Sequence, residues 1–236
     1  MSSSTWTAPA VASEAFRAQR RLWRAVEAQH VASTLRLVAN VEEQMLLERV
    51  LEHSKPTLPV AAAELHYLLA TPFRYSSPIG SRFRAATDSG IWYGAEAQRT
   101  ACAELGYWRW RFLIDAPALD SLGPSPQSVF QAAIQGRMVD LTRAPFSRSR
   151  AAWTARDAYA ATQGFASIAR AAEIDAIRYE SVRDPLRGGA VAVLRPCFKP
   201  GTPLKQHVWF LTVRRDSVIW QRQGESFEFD ARAWCA

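Results

Sequence analysis

The sequence predicts an α+β fold: a mixed sheet surrounded by helices, preceded by an N-terminal helical hairpin. Three observations carry this. Short apolar runs bounded by Gly, Pro, Asp or Ser recur through the C-terminal half. Longer segments with apolar residues at helical intervals lie between those runs. The stretch before Lys55 shows only the helical kind of pattern. Strands in several groups between helices describe a mixed domain and not a pure bundle or sandwich.

Residues 9–30 read as a helix, with Phe16, Trp23 and Val26 at roughly helical intervals and Arg17, Arg20, Arg21 and Arg24 supplying charge. Residues 31–53 read as a second helix. Leu35, Val38, Val41, Met45 and Val50 form its apolar stripe, Glu42, Glu43, Glu48 and Arg49 fall mostly outside it, and Ser33 or Thr34 caps the restart. Such a hairpin either packs on its own domain or presents an oligomerisation or partner-docking surface. Lys55-Pro56-Thr57-Leu58-Pro59 breaks the pattern and divides residues 1–57 from residues 58–236.

Residues 60–69 predict a short helix ending before Thr71-Pro72. Ser77-Pro78-Ile79-Gly80 and Asp88-Ser89-Gly90 are turns around an extended segment with Arg82 and Arg84, and Ile91-Trp92-Tyr93 is a short strand. Glu96–Tyr107 is helical, with Ala97, Ala101, Leu105 and Trp108 near one face. Arg109–Asp115 turns strand-like, and Asp115–Ser128 is a loop rich in Pro, Gly and Ser. A strand follows, ending in Met138-Val139-Asp140-Leu141, then a basic loop and one long helix over Ala151–Glu173. Five strands close the sequence, at Ala176–Ser181, Ala190–Leu194, Val208–Arg214, Val218–Gln221 and Phe227–Phe229.

The chain has 236 residues, 48% of them hydrophobic, enough to bury a core without disulfides or metals. Its nine Trp belong in the core or at an interface. Cys102, Cys197 and Cys235 are odd in number and far apart, and His30, His53, His66 and His207 show no metal-ligand spacing. Neither a secretory signal nor an apolar run of membrane-spanning length is present, so the expectation is a soluble cytoplasmic protein without metal. The net charge is +7, and only Lys55, Lys199 and Lys205 of its 29 cationic side chains are lysines. That excess fits nucleic acid, an acidic partner or an anionic small molecule, and Arg favours bidentate recognition of phosphate and carboxylate. Arg-rich genome composition explains the same bias. Scattered Arg without a helix-turn-helix or an aromatic RNA motif makes a non-catalytic nucleic-acid-binding module the weaker reading.

Arg82, Tyr93 and Glu104 stand eleven residues apart. A cation, a ring and a carboxylate suit an anionic, ring-containing ligand, although spacing alone leaves them equally readable as surface residues. Glu104 falls mid-helix beside the small Ala101 and Ala103, which leaves room for a ligand. Arg183, two residues past Ser181 on an extended segment, either faces the same ligand or makes a surface salt bridge. Tyr75 is either a second ring of the site or a core residue. Cys102 shares the Glu104 helix with no His near in sequence to activate it, and reads as a small core residue.

The run FRYSSPIGSRF, then IWYGAEAQRTACAELGYWR, then IDAIRYESVRDP, resembles the RES domain family across roughly residues 71–213. In that resemblance the family's Arg matches Arg82, with Arg74 also in the pattern; its Tyr matches Tyr93, its Glu matches Glu104 and its Ser matches Ser181. Gly94-Ala95 after Tyr93 departs from the commoner Thr/Ala pair. The resemblance implies an ADP-ribosyltransferase-like fold over residues 58–236 and an NAD+-depleting toxin neutralised by a Xre-type antitoxin. Any contact with DNA would run through that antitoxin, and a homo-oligomer is left open. NAD+ is then substrate and not cofactor, with water, inorganic phosphate or a protein side chain as acceptor: a glycohydrolase, a phosphorylase or an ADP-ribosyltransferase. The implied roles are Glu104 for the cationic ribose, Arg82 with Arg74 for the pyrophosphate, Tyr93 for the nicotinamide ring and Ser181 for a ribose or amide hydrogen bond. Tyr75 and Arg183 supplement the binding set.

Overall fold

The computed structural model describes residues 6–28, 37–75 and 77–235. Its centre is a sheet whose strands are β1 (Phe16–Glu27), β2 (Trp92–Ala95), β3 (Ser121–Asp140), β4 (Ala176–Glu180), β5 (Gly189–Val193), β6 (Leu204–Arg214), β7 (Ser217–Arg222) and β8 (Glu225–Asp230). The order is β1-β2-β5-β4-β3-β6-β7-β8, and β1 pairs with β3 as well. The first five strands in that order therefore close into a ring, from which β6, β7 and β8 extend. All pairings are antiparallel except β3 with β4.

The N-terminal hairpin is not what forms. A short helix, α1 (Ala8–Ser13), starts at the Thr7 cap with a proline in its first turn, and the chain then enters β1. Phe16, Trp23 and Val26 are helically spaced only by coincidence. Ala18 and Leu22 face a core cluster with Phe130 and Ala132, whereas Trp23 and Ala25 pack on the opposite side against the cluster holding Trp209 and Trp220. Apolar residues on both faces of a central strand blur the period-two signal. From Phe16↔Met138 to Glu27↔Gln127, every residue of β1 is paired with β3, so residues 16–27 belong to the main sheet and not to an appendage.

Helix α2 (Val41–Ser54) begins at Asn40, whose Oδ1 accepts from the Glu43 amide at 2.9 Å while Glu43 Oε2 accepts from the Ala39 amide at 2.8 Å. The proposed Ser33/Thr34 cap and Leu35 lie outside the described residues. Val41, Met45 and Val50 are 70%, 61% and 57% exposed, so the stripe faces away from this domain's core.

Helix α3 (Tyr67–Arg74) runs through Pro72 instead of stopping before it, because Leu68, Leu69, Ala70 and Phe73 bury against the ring. Helix α4 (Gln98–Asp115) continues past Tyr107, its Tyr107, Trp110 and Leu113 packing on β6–β8. The Pro/Gly/Ser-rich stretch read as loop is the first half of β3, with register shifts between Leu122 and Ser125 that absorb its irregular residues. The single long helix over 151–173 is instead α5 (Arg150–Trp153) and α6 (Ala160–Ala171), separated by a loop. A last short helix, α7 (Arg232–Cys235), docks Trp234 beside Phe229. Strands β4 to β8 lie where their short, turn-bounded runs place them.

Candidate active site

Strand β2 brings Tyr93 to a cleft of about 200 Å³. Its hydroxyl meets Ser81 Oγ at 2.7 Å and accepts from the Phe83 amide at 3.1 Å. Burial raises its pKa above the ordinary tyrosine value. Those bonds tie β2 to the tight turn Ser81–Arg84, which is a bridge between its ends and not a strand. Helix α6 holds the other side of the turn: Gln163 Nε2 donates to the Ser81 and Arg84 carbonyls at 2.9 and 3.1 Å, and Thr162 Oγ1 to the Arg82 carbonyl. The glycine after Tyr93 also has a structural reason. A Cβ at Gly94 would stand 2.3 Å from the buried Trp92 ring.

Arg82 is buried in the cleft wall. Its Nη1 donates to the carbonyls of Trp153 and Ala155 at 3.0 and 2.8 Å, its Nη2 to that of Arg156 at 3.4 Å, and its Cζ lies 4.9 Å from the Tyr159 ring centre. Three of a guanidinium's five donors are thus committed to main chain, so its grip on a phosphate is narrower than the free fork expected from sequence. The positive charge remains beside Glu104.

Glu104, on α4, accepts from Ser181 Oγ at 2.5 Å. Burial, the largest influence, pushes the Glu104 carboxyl above the usual range; the Ser181 hydroxyl and the Arg82 and Arg183 charges oppose it. Ser181 is fully buried, and its Oγ also accepts from the amides of Arg183 and Asp184 at 3.3 and 3.1 Å. A hydroxyl has one proton, and here Ser181 donates it to Glu104. Ser181 therefore orients the carboxylate; the free donor expected for a ribose or amide group is not available in this arrangement.

The loop after Ser181 is clamped to the start of α4. The buried Asp184 carboxylate accepts from Thr100 Oγ1 at 2.7 Å, from the Leu186 amide at 3.1 Å and from Arg99. Asp184→Asn should lower stability by about 1–2 kcal/mol through the weakened charge-assisted bonds. If the clamp sets the Ser181–Glu104 contact, whatever turnover the site has drops with it; unchanged melting temperature and rate would remove Asp184 from this role.

Arg183 lies in the cleft wall, 3.7 Å from the Tyr107 ring centre, with Nη2 donating to the Arg156 carbonyl at 2.9 Å and to Tyr159 Oη at 3.0 Å. Arg82, Tyr93, Glu104 and Arg183 all line one cavity, and Ser181 stands directly behind Glu104. Arg74 and Tyr75 are not among the residues lining it. Arg74 is engaged with Glu52 at 2.7 Å and the Pro56 carbonyl at 2.7 Å, fastening α2 to α3, and Tyr75 is 42% exposed.

Sequence reasoning missed Trp23, Arg24, Trp108, Tyr159 and Tyr179, which also line the cleft. Trp23 and Arg24 were hidden by the helical reading of β1. Tyr179 was legible, since it alternates with Arg178 and Glu180 just before Ser181. Cys102 is buried, and burial raises its thiol pKa well beyond the range of a nucleophile at neutral pH. Among the described residues no His, Cys, Asp and Glu side chains cluster as a metal site, and no helix is long and apolar enough to cross a membrane.

A family model described as RES domain matches residues 58–212, well over half of the chain. No curated protein matches the sequence. Among solved structures, the chain is similar to one in the crystal structure of the M. tuberculosis MbcT–MbcA toxin–antitoxin complex. The TM-score is 0.47 at 11% identity, with 94% of this chain and 90% of that one covered. The family match spans the Arg82 turn, β2, the Glu104 helix and the Ser181 strand, and by it the chain belongs to the RES domain family.

Proposed function

We propose that this protein is a RES toxin that degrades NAD+ by cleaving the nicotinamide–ribose bond, and that a Xre-type antitoxin neutralises it. The observation that carries the reading is the Ser181-oriented carboxylate of Glu104, set in a cleft between arginines and aromatic rings. In the reaction the glycosidic C–N bond breaks and its electron pair returns to the pyridinium ring, which leaves as neutral nicotinamide. Positive charge builds on the ribose, where a fixed carboxylate stabilises it. The leaving group needs no proton, so a single carboxylate suffices. Tyr93 orients the ring; Arg82 and Arg183 supply the field that attracts the diphosphate. Water or inorganic phosphate then attacks the ribose carbon and releases a proton to solvent.

The test is nicotinamide release from NAD+ by purified, partner-free protein, with and without inorganic phosphate. Release is expected, and the mass of the second product distinguishes ADP-ribose, its phosphorylated form and an ADP-ribosylated protein. An inert preparation of folded protein would refute the proposal. The antitoxin is expected to seat a segment over the cleft, so the complex should release nicotinamide far more slowly than the free chain; equal rates would rule out occlusion.

A further inference from the structure

The cleft holds a third arginine, and it comes from outside the family segment. Strands β1 and β2 meet at one register pair, Trp23↔Ala95. Arg24 and Tyr93, beside that pair, both line the cleft. Arg24 Nη1 donates to the Tyr93 carbonyl at 3.0 Å, and its guanidinium lies 5.3 Å from the Trp92 ring centre. Its Nε is buried without a hydrogen-bond partner, and among the described residues no carboxylate pairs with it.

A guanidinium drawn out of water without a counter-ion is costly, and burial lowers the pKa of Arg24 to about 10. The other two cleft arginines differ: Arg82 and Arg183 already hold several acceptors each. Glu104 is the one carboxylate among the cleft-lining residues, and Arg183 has a further partner in Asp157 at 3.4 Å.

We infer that Arg24 is an anion-binding residue of this site, whose missing counter-ion is a phosphoryl group of the ligand. The inference rests on the reading of the cleft as a nucleotide site. Two sources share that chemistry: the diphosphate of the dinucleotide, and free phosphate serving as acceptor.

The experiment titrates the full-length protein with inorganic pyrophosphate and with inorganic phosphate, following the fluorescence of the cleft tryptophans. Wild type, Arg24→Met and Arg24→Lys are compared. The Met variant should bind pyrophosphate at least about tenfold more weakly, as expected for loss of charged hydrogen bonds, with partial recovery in the Lys variant. In nicotinamide release, a raised KM for NAD+ with a smaller change in kcat assigns the diphosphate; a raised phosphate requirement alone assigns the acceptor. Equal anion binding by the wild type and a folded Met variant, or no binding by the wild type, overturns the inference. If Arg24→Met fails to fold, Arg24→Lys decides: several-fold weaker binding upholds it and unchanged binding overturns it. Wild type that binds pyrophosphate without releasing nicotinamide would sink the proposed reaction and leave Arg24 standing. Release with both constants unchanged in Arg24→Met would do the reverse.

Discussion

Glu104→Gln is expected to reduce nicotinamide release on the order of 10³-fold, because it removes the only cleft-lining carboxylate available to offset charge on the ribose. The same change should stabilise the fold. Burial holds the Glu104 carboxyl above its unfolded value, so between the two values the folded chain binds the extra proton. Stability contributed by that proton is full below the unfolded pKa and is lost as pH rises through the folded one. Above the folded value the ionised Glu104 is therefore a net cost that Gln lacks. The variant should melt higher than the wild type in alkaline solution, and the difference should vanish in acid. Turnover by the wild type should rise with pH through a midpoint above the ordinary carboxylate range. A Gln variant that is active, or whose stability relative to the wild type does not rise with pH, would contradict this account.

Removal of residues 1–28 is expected to abolish folding, not to trim a dispensable hairpin. It strips the β1 partner from Gln127–Met138 of β3, leaving only the β6 and β4 pairings at its two ends, and opens the ring. A graded version is Leu22→Ala, which vacates a fully buried position beside Phe130 and should cost ~3 kcal/mol, or about 6–12 °C in melting temperature. Circular dichroism and thermal melts of both variants check this. A truncated chain with a cooperative transition near that of the full one would show that β1 is an accessory.

How much could be read beforehand depended on whether one local signal stood alone. Strands β4 to β8 were legible because each is short, apolar and bounded by Gly, Pro or Asp residues. Glu104 was legible as a carboxylate among small helical residues. The Arg82 turn, β2 and Ser181 came through the resemblance, and the structure gathers them round one cleft. Strand β1 was not legible, since its apolar side chains serve both faces and its arginines mimic a helix's solvent side. Arg24 was lost with it. Arg74 illustrates the opposite failure: its Phe-Arg-Tyr context fits the family pattern, yet the carbonyl of Pro56 and the carboxylate of Glu52 hold it elsewhere. The committed donors of Arg82 and the single proton of Ser181 depend on groups more than seventy residues away, which no local pattern encodes.

The pairing of the first strand with the third also has a consequence in time. Translation delivers Phe16–Glu27 before its partners at Gln127–Met138, which emerge roughly a hundred residues later, several seconds at ordinary elongation rates. The circuit through β2, β5 and β4 cannot be completed before Val193 has been made. A ribosome thus carries Arg24, Tyr93 and Glu104 as unassembled parts until β5 has been made, and only then can the cleft come into being.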